Sequence, residues 1–166
     1  MKSARSFGQE NPYPAFSDHN FSAYCFSTMG CRVFYHGKYD VDDREGKESS
    51  ALVDEAQLKK LHAVRVGIRN FPPPALVTWQ SKDGIHHEAE VDLGRIFKDR
   101  RIVHNVDKHA ILEGAAVLNP DIILVVNDRT ISVYMKAFIP LKSREDPANK
   151  YSDARDELVL AYRKLY

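Results

Sequence analysis

The stretch "NPDIILVVNDRTISVYMKAFIP", residues 119 to 140, limits the fold more than any other part of the chain. Apolar residues alternate through Ile131, Val133, Met135, Ala137 and Ile139, and Asn127-Asp128-Arg129-Thr130 separates two β-branched runs. A period of two belongs to a strand, and Asn and Asp form turns, so the pattern predicts an antiparallel hairpin over 121–139. A second hairpin is predicted where "ALVTWQS" and "IHHEAEVDL" flank Lys82-Asp83-Gly84, because the Asp-Gly pair supplies the positive φ angles of a tight turn. In its return strand Ile85, His87, Ala89, Val91 and Leu93 share one face, while His86, Glu88, Glu90 and Asp92 share the other.

The segments "FSAYCFST" and "CRVFYHGKY" are aromatic-rich strand candidates, and "DVDDREGKESS" between them and the next apolar run is a charged surface loop. "AVRVGIRNF" predicts a half-buried strand with Val64, Val66 and Ile68 inward and Arg65, Gly67 and Arg69 outward, stopped by Pro72, Pro73 and Pro74. "ALVDEAQLKKLH" reads as one short helix capped by Ser49 or Ser50. "SDARDELVLAYRKLY" reads as a last helix capped by Ser152, with Ala154, Leu158, Ala161, Tyr162 and Leu165 on one apolar stripe. Residues 94 to 118 are irregular, with a helical turn near "GRIFKD". At 166 residues the chain suits one domain. The expectation is an α+β protein, mainly antiparallel β-sheet, sandwich-like or a single sheet of hairpins, with a short central helix and a C-terminal amphipathic helix. Residues 1–20, polar with Pro12 and Pro14, would be an extended arm, and 21–166 a single β-rich globular domain.

Charge balance speaks against two partner classes. With 24 Lys and Arg against 23 Asp and Glu, nothing pulls the chain toward phosphate backbones or anionic lipid, so no nucleic-acid partner is expected. No run approaches the roughly 18 to 20 apolar residues of a membrane span. The opening "MKSARSFGQENPYPAF" lacks the apolar core of a secretory signal, which fits either a mature periplasmic form or, with Met1 native, a cytoplasmic protein. Cys25 and Cys31 could meet across a turn at Thr28-Met29-Gly30 if residues 21–28 and 31–36 form a hairpin; two buried free thiols are the alternative.

Candidate chemistry is sparse. His86, His87 and Glu88 suggest a metal or acid-base cluster, but neighbours in a strand point to opposite faces and cannot share one ion without a bulge. Asp40, Asp42, Asp43 and Glu45 resemble the start of a calcium loop, yet Gly46 falls seventh where that loop needs its glycine sixth. Ser27, Thr78 and Ser81 lack an elbow motif, and the glycines are scattered singly, so no phosphate loop exists. The reading is therefore non-enzymatic, with no cofactor and no metal. A protein-binding surface is expected to draw on Asp42, Asp43, Glu45, Tyr35, Tyr39, Phe71 and Tyr134, with Trp79 in the core.

In "LVTWQSKDGIHHEAEVDLGRIFKD" and "NPDIILVVNDRTISVYMKAFIP" the chain resembles bacterial envelope proteins, often lipoproteins, associated with type VI secretion clusters, some of which are immunity proteins. The likeness spans roughly residues 20 to 142 and brings no catalytic residues with it. It implies a periplasmic partner-binding protein that neutralises a cognate toxic effector by occluding its active site, with any lipid anchor outside this sequence. The alternatives are a small ligand- or metal-binding domain or hydrolase using His86, His87 and Glu88, or a structural accessory subunit of a secretion system.

Overall fold

The computed structural model describes residues 15 to 166. Most of the arm expected over 1–20 lies outside the described residues, but Phe16 is already buried and the first strand begins at Asp18, so the domain starts before residue 21. Eleven strands follow in order: β1 (Asp18–Phe26), β2 (Thr28–Tyr35), β3 (Lys38–Asp42), β4 (Arg65–Arg69), β5 (Ala75–Ser81), β6 (His86–Val91), β7 (Asp121–Asn127), β8 (Thr130–Lys136), β9 (Ile139–Pro140), β10 (Ala154–Arg155) and β11 (Leu158–Leu165). Among the described residues two short α-helices, α1 (Glu55–Lys59) and α2 (Leu93–Ile96), interrupt them.

The hairpin of residues 121–139 forms as expected, β7 pairing β8 from Asp121↔Lys136 to Asn127↔Thr130. It lies inside a five-stranded sheet of order β11-β8-β7-β1-β4, in which only β1 and β7 run parallel. The second predicted hairpin, β5–β6, belongs to a four-stranded antiparallel sheet of order β3-β2-β5-β6. Inward residues of both sheets, among them Phe21, Leu124, Val133, Val33, Val77 and Trp79, form one continuous core, so the arrangement is the sandwich and not a single sheet. The other face of the five-stranded sheet is covered as well. Leu52, Leu58 and Leu61, in and around α1, lie over Ile123, Val125 and Tyr134.

The expected hairpin of residues 21–28 with 31–36 does not form. β1 and β2 belong to different sheets, and the chain passes between them at Ser27, whose φ is +54°. Cys25 at the end of one sheet and Cys31 at the start of the other form a disulfide, which therefore fastens the two layers at their crossover.

The C-terminal helix is a strand. β8 is buried on both faces, and its second edge would leave backbone groups unpaired unless another strand joined it. β11 fills that place, running antiparallel from Leu158↔Lys136 to Leu165↔Thr130 with a bulge at Ala161. The bulge lets the adjacent Ala161 and Tyr162 both pack against the core, and this adjacency is what imitated a helical stripe. Ser152 instead closes a turn by donating to the Asp146 and Asn149 carbonyls. Ser49 is not a cap either, since its hydroxyl accepts the Thr28 amide at 2.9 Å; Asp54 caps α1 by accepting from the Gln57 amide. A bulge also corrects β4. Gly67, at φ +72°, shifts the register against β1 between His19↔Ile68 and Phe21↔Arg65, so Val64 and Val66 are exposed and Arg65 turns inward.

Arg65 there makes a two-pronged contact with the Asp40 carboxylate at 2.9 and 2.8 Å and donates to the Tyr35 carbonyl. Burial pushes the Asp40 carboxyl above its usual range even with that guanidinium beside it. Next to this pair, fully buried His19 lies between Asn70 Oδ1 at 2.6 Å and the Tyr35 hydroxyl at 2.9 Å. Asn70 spends its amide on the Phe16 carbonyl, so its oxygen faces His19. His19 Nδ1–H therefore donates to Asn70, and Nε2 accepts the Tyr35 proton, which defines a neutral imidazole. Burial lowers the His19 pKa below its usual 6.5 and raises that of Tyr35.

Two outcomes are expected. Cys25→Ser with Cys31→Ser should lower unfolding stability in urea by about 2 kcal/mol, the loop-closure contribution of so short a bridge. Since His19 binds its proton less readily folded than unfolded, its contribution to stability is complete above pH 6.5 and falls as the pH drops below that value. Urea titrations across pH 4 to 7 should show a steeper loss of stability toward low pH in the native protein than in His19→Gln.

Candidate functional site

With the centre of the five-stranded sheet covered on both faces, the outward face of β3-β2-β5-β6 is the broad sheet surface left open among the described residues. Its layout follows from register. Phe34 on β2 faces Tyr39 on β3 and Leu76 on β5, and Leu76 faces Glu90 on β6. One step along, Arg32 faces Asp42 and Thr78, and Thr78 faces Glu88. The next row is Met29, Gln80 and His86. The face thus grades from an apolar and aromatic end to a charged end. Tyr39 and Leu76 are 46% and 47% exposed, large values for side chains of this kind. The Tyr39 ring is fixed edge-on to Phe34 at 5.0 Å and lies 4.4 Å beneath the Arg32 guanidinium.

A loop after β3 raises a wall along the charged end. It returns over β2 through hydrogen bonds from Gly30 N to the Lys47 carbonyl and from Asp43 N to the Cys31 carbonyl. Gly30 makes this approach possible: its φ is +57°, and a Cβ there would meet the Glu45 backbone at 3.4 Å. Wall and sheet enclose an open groove of about 500 Å³, lined by Arg32, Asp42, Glu45, Gln80, His86 and Glu88 among others. Asp42 is paired with Arg32 at 2.8 Å and Asp43 with Lys47 at 3.1 Å, whereas no ion pair among the described residues engages Glu45, Glu88 or Glu90. The groove therefore carries carboxylates whose charge is not internally matched.

The two histidines of β6 separate as strand geometry requires. His86 is exposed at the groove, whereas His87 stacks on buried Trp79 with ring centroids 4.9 Å apart. His87 Nε2 is 2.9 Å from the Ser81 hydroxyl, which donates its own proton to Asp83. With the hydroxyl hydrogen committed to Asp83, Nε2 has to be the donor to Ser81, the reverse of what a general base needs. Ser81 is also fully buried. This is a tie that holds the β5–β6 turn, and no group of three or more His, Cys, Asp or Glu among the described residues is arranged to hold a metal.

Of the residues expected to bind a partner, Asp42, Asp43, Glu45 and Tyr39 come together at this face. Tyr35 does not, being fully buried beneath His19, and Tyr134 is buried under α1 on the opposite side of the sandwich. Phe71 is half-buried, packed against His19, Phe16 and Phe97. These three aromatics are packing residues. Arg32, Phe34, Leu76 and Thr78 are not among the residues expected to bind a partner, although alternation in "CRVFY" and "ALVTWQS" already sets them opposite the core residues. Comparison with protein-family models, with curated proteins and with solved structures finds no match for this chain.

The Ser81 hydroxyl and the Ile85 amide hold the Asp83 carboxyl below the usual carboxylate range. In Ser81→Ala, Asp83 should titrate closer to an ordinary carboxylate, measured by carboxyl-carbon NMR. An unmoved Asp83 would show that the hydroxyl has no such role.

Proposed function

We propose that this chain is a non-enzymatic binding protein of the immunity kind, which neutralises a cognate secreted effector by covering its active site with the open face of β3-β2-β5-β6 and the loop of residues 43–47. The observation that carries this reading is that one outer face of the sandwich is covered from within the chain while the other presents Tyr39, Phe34 and Leu76 beside Arg32. Tyr and Arg side chains supply a disproportionate share of binding energy at protein interfaces, and a ring already held by its neighbours loses little freedom on binding. Glu45, Glu88 and Glu90 suit a partner with a basic cleft, and Asp42 can exchange its exposed ion pair with Arg32 for contacts with that partner at little cost. The disulfide suits an oxidising compartment such as the periplasm.

The test is capture of partners by the tagged protein from periplasmic and secreted fractions of its source organism, followed by mass spectrometry. One stoichiometric toxin-like protein should be retained, and Arg32→Ala with Tyr39→Ala should weaken its binding by about 100-fold, as loss of two interface anchors does. No partner from fractions known to contain the effectors would sink the reading. Full retention by the double variant would move the contact to another surface. Replacing Asp42, Asp43 and Glu45 together by Ala should slow association and reduce its dependence on salt, with little change in dissociation.

A further inference from the structure

The two main sheets have four edge strands, and three of them are irregular. β3 carries a bulge at Asp40, β4 one at Gly67 and β11 one at Ala161, each a feature that spoils pairing with another chain. β6 differs. It pairs with β5 through consecutive residues from Ala75↔Val91 to Gln80↔His86 with no shift of register, and it contains neither Pro nor Lys.

The register of the ladder fixes the direction of its backbone groups. Ser81 N donates to the Ile85 carbonyl at 3.0 Å in the same register as those pairs. Hydrogen-bonded and non-bonded pairs alternate along an antiparallel ladder, so His87, Ala89 and Val91 bond to β5. The N–H and C=O groups of His86, Glu88 and Glu90 consequently point out of the sheet edge. No hydrogen bond from the described residues meets them, and all three residues are exposed. Their side chains rise from the open face, because backbone direction and side-chain direction share the same period of two.

We propose that an extended, basic segment of the partner joins the four-stranded sheet as a further strand beside β6, its backbone meeting His86, Glu88 and Glu90 and its Lys or Arg side chains meeting the two carboxylates. This rests on the protein-binding reading above and specifies how the partner is held. Charge selects the occupant. A second copy of this chain, paired along the whole of β6, would set Glu88 directly opposite its own counterpart, whereas a basic strand finds opposite charge at alternate positions.

The test uses the full chain and a blocked decapeptide of alternating Val and Lys, with an alternating Val and Glu peptide beside it. The Lys peptide should bind, the Glu peptide at least about tenfold more weakly, and amide hydrogen exchange should slow at His86, Glu88 and Glu90. Glu88→Pro removes an N–H that the ladder does not use, so thermal unfolding should be unchanged while peptide binding falls by about tenfold or more. Glu88→Gln should keep the slowed exchange with weaker binding, and it serves as the second probe if the proline variant misfolds. Absence of Lys-peptide binding, binding without slowed exchange at these amides, or unaltered binding by Glu88→Pro overturns the strand-addition proposal. Partner capture separates the two readings: retention of the partner by Glu88→Pro but not by the Arg32 and Tyr39 variant overturns strand addition alone, and failure of the native protein to capture any partner overturns the reading beneath it.

Discussion

Every residue from Ile122 to Val126 and from Ile131 to Met135 is buried, which means that the central hairpin is apolar on both sides. Such a hairpin cannot sit at a surface. It has to be covered twice, and both its edges have to be paired, because water reaches neither its side chains nor its backbone. The four-stranded sheet covers one side, α1 and its flanks the other, β1 takes one edge and β11 the second. The open face is what remains once that demand is met. The covering sheet needs only one of its own sides for the core, so its other side is free to carry Arg32, Tyr39 and the carboxylates.

This dependence also explains what could be read from the sequence. The hairpins over 121–139 and 75–91 were legible because strict alternation and turn residues coincide there, and local pattern and tertiary structure agree. The last strand was not legible. One bulged residue, Ala161, converts a period of two into something close to 3.6, and only the vacant edge of β8, more than twenty residues upstream, decides between them. The same holds at Gly67, where a single left-handed residue inverts which valines face the core. An isolated glycine inside a strand run, as at Gly67, hints at a bulge, whereas Ala161 carries no mark at all, and either bulge moves the side chains beyond it to the other face.

The candidate face was half legible. The acidic loop was recognisable from composition, and Tyr39 from its type. Tyr35 and Tyr134 have the same residue type and lie buried, because burial depends on which sheet covers which, a long-range fact. Arg65 makes the same point from the opposite direction: a strand arginine read as solvent-facing is instead locked to Asp40 and the Tyr35 carbonyl, beside a neutral histidine. That polar cluster lies at the end of the sandwich where β4 and β3 meet, and it joins the two sheets there as the disulfide does at the other crossover.

The parallel pairing of β1 with β7 carries a consequence for the order of assembly. The slot beside Asn20 to Phe26 is filled by a strand about a hundred residues later in the chain, Asp121–Asn127. Contacts this distant in sequence form slowly, since a long loop must close before they repay its entropy. During synthesis the four-stranded sheet can pair first, because its strands all precede residue 92. Until the last third of the chain emerges, however, β1 has no partner on one side and the sandwich has no floor. The sandwich can therefore close only after the central hairpin and β11 have both emerged, and until then the apolar face of the four-stranded sheet is left without its cover.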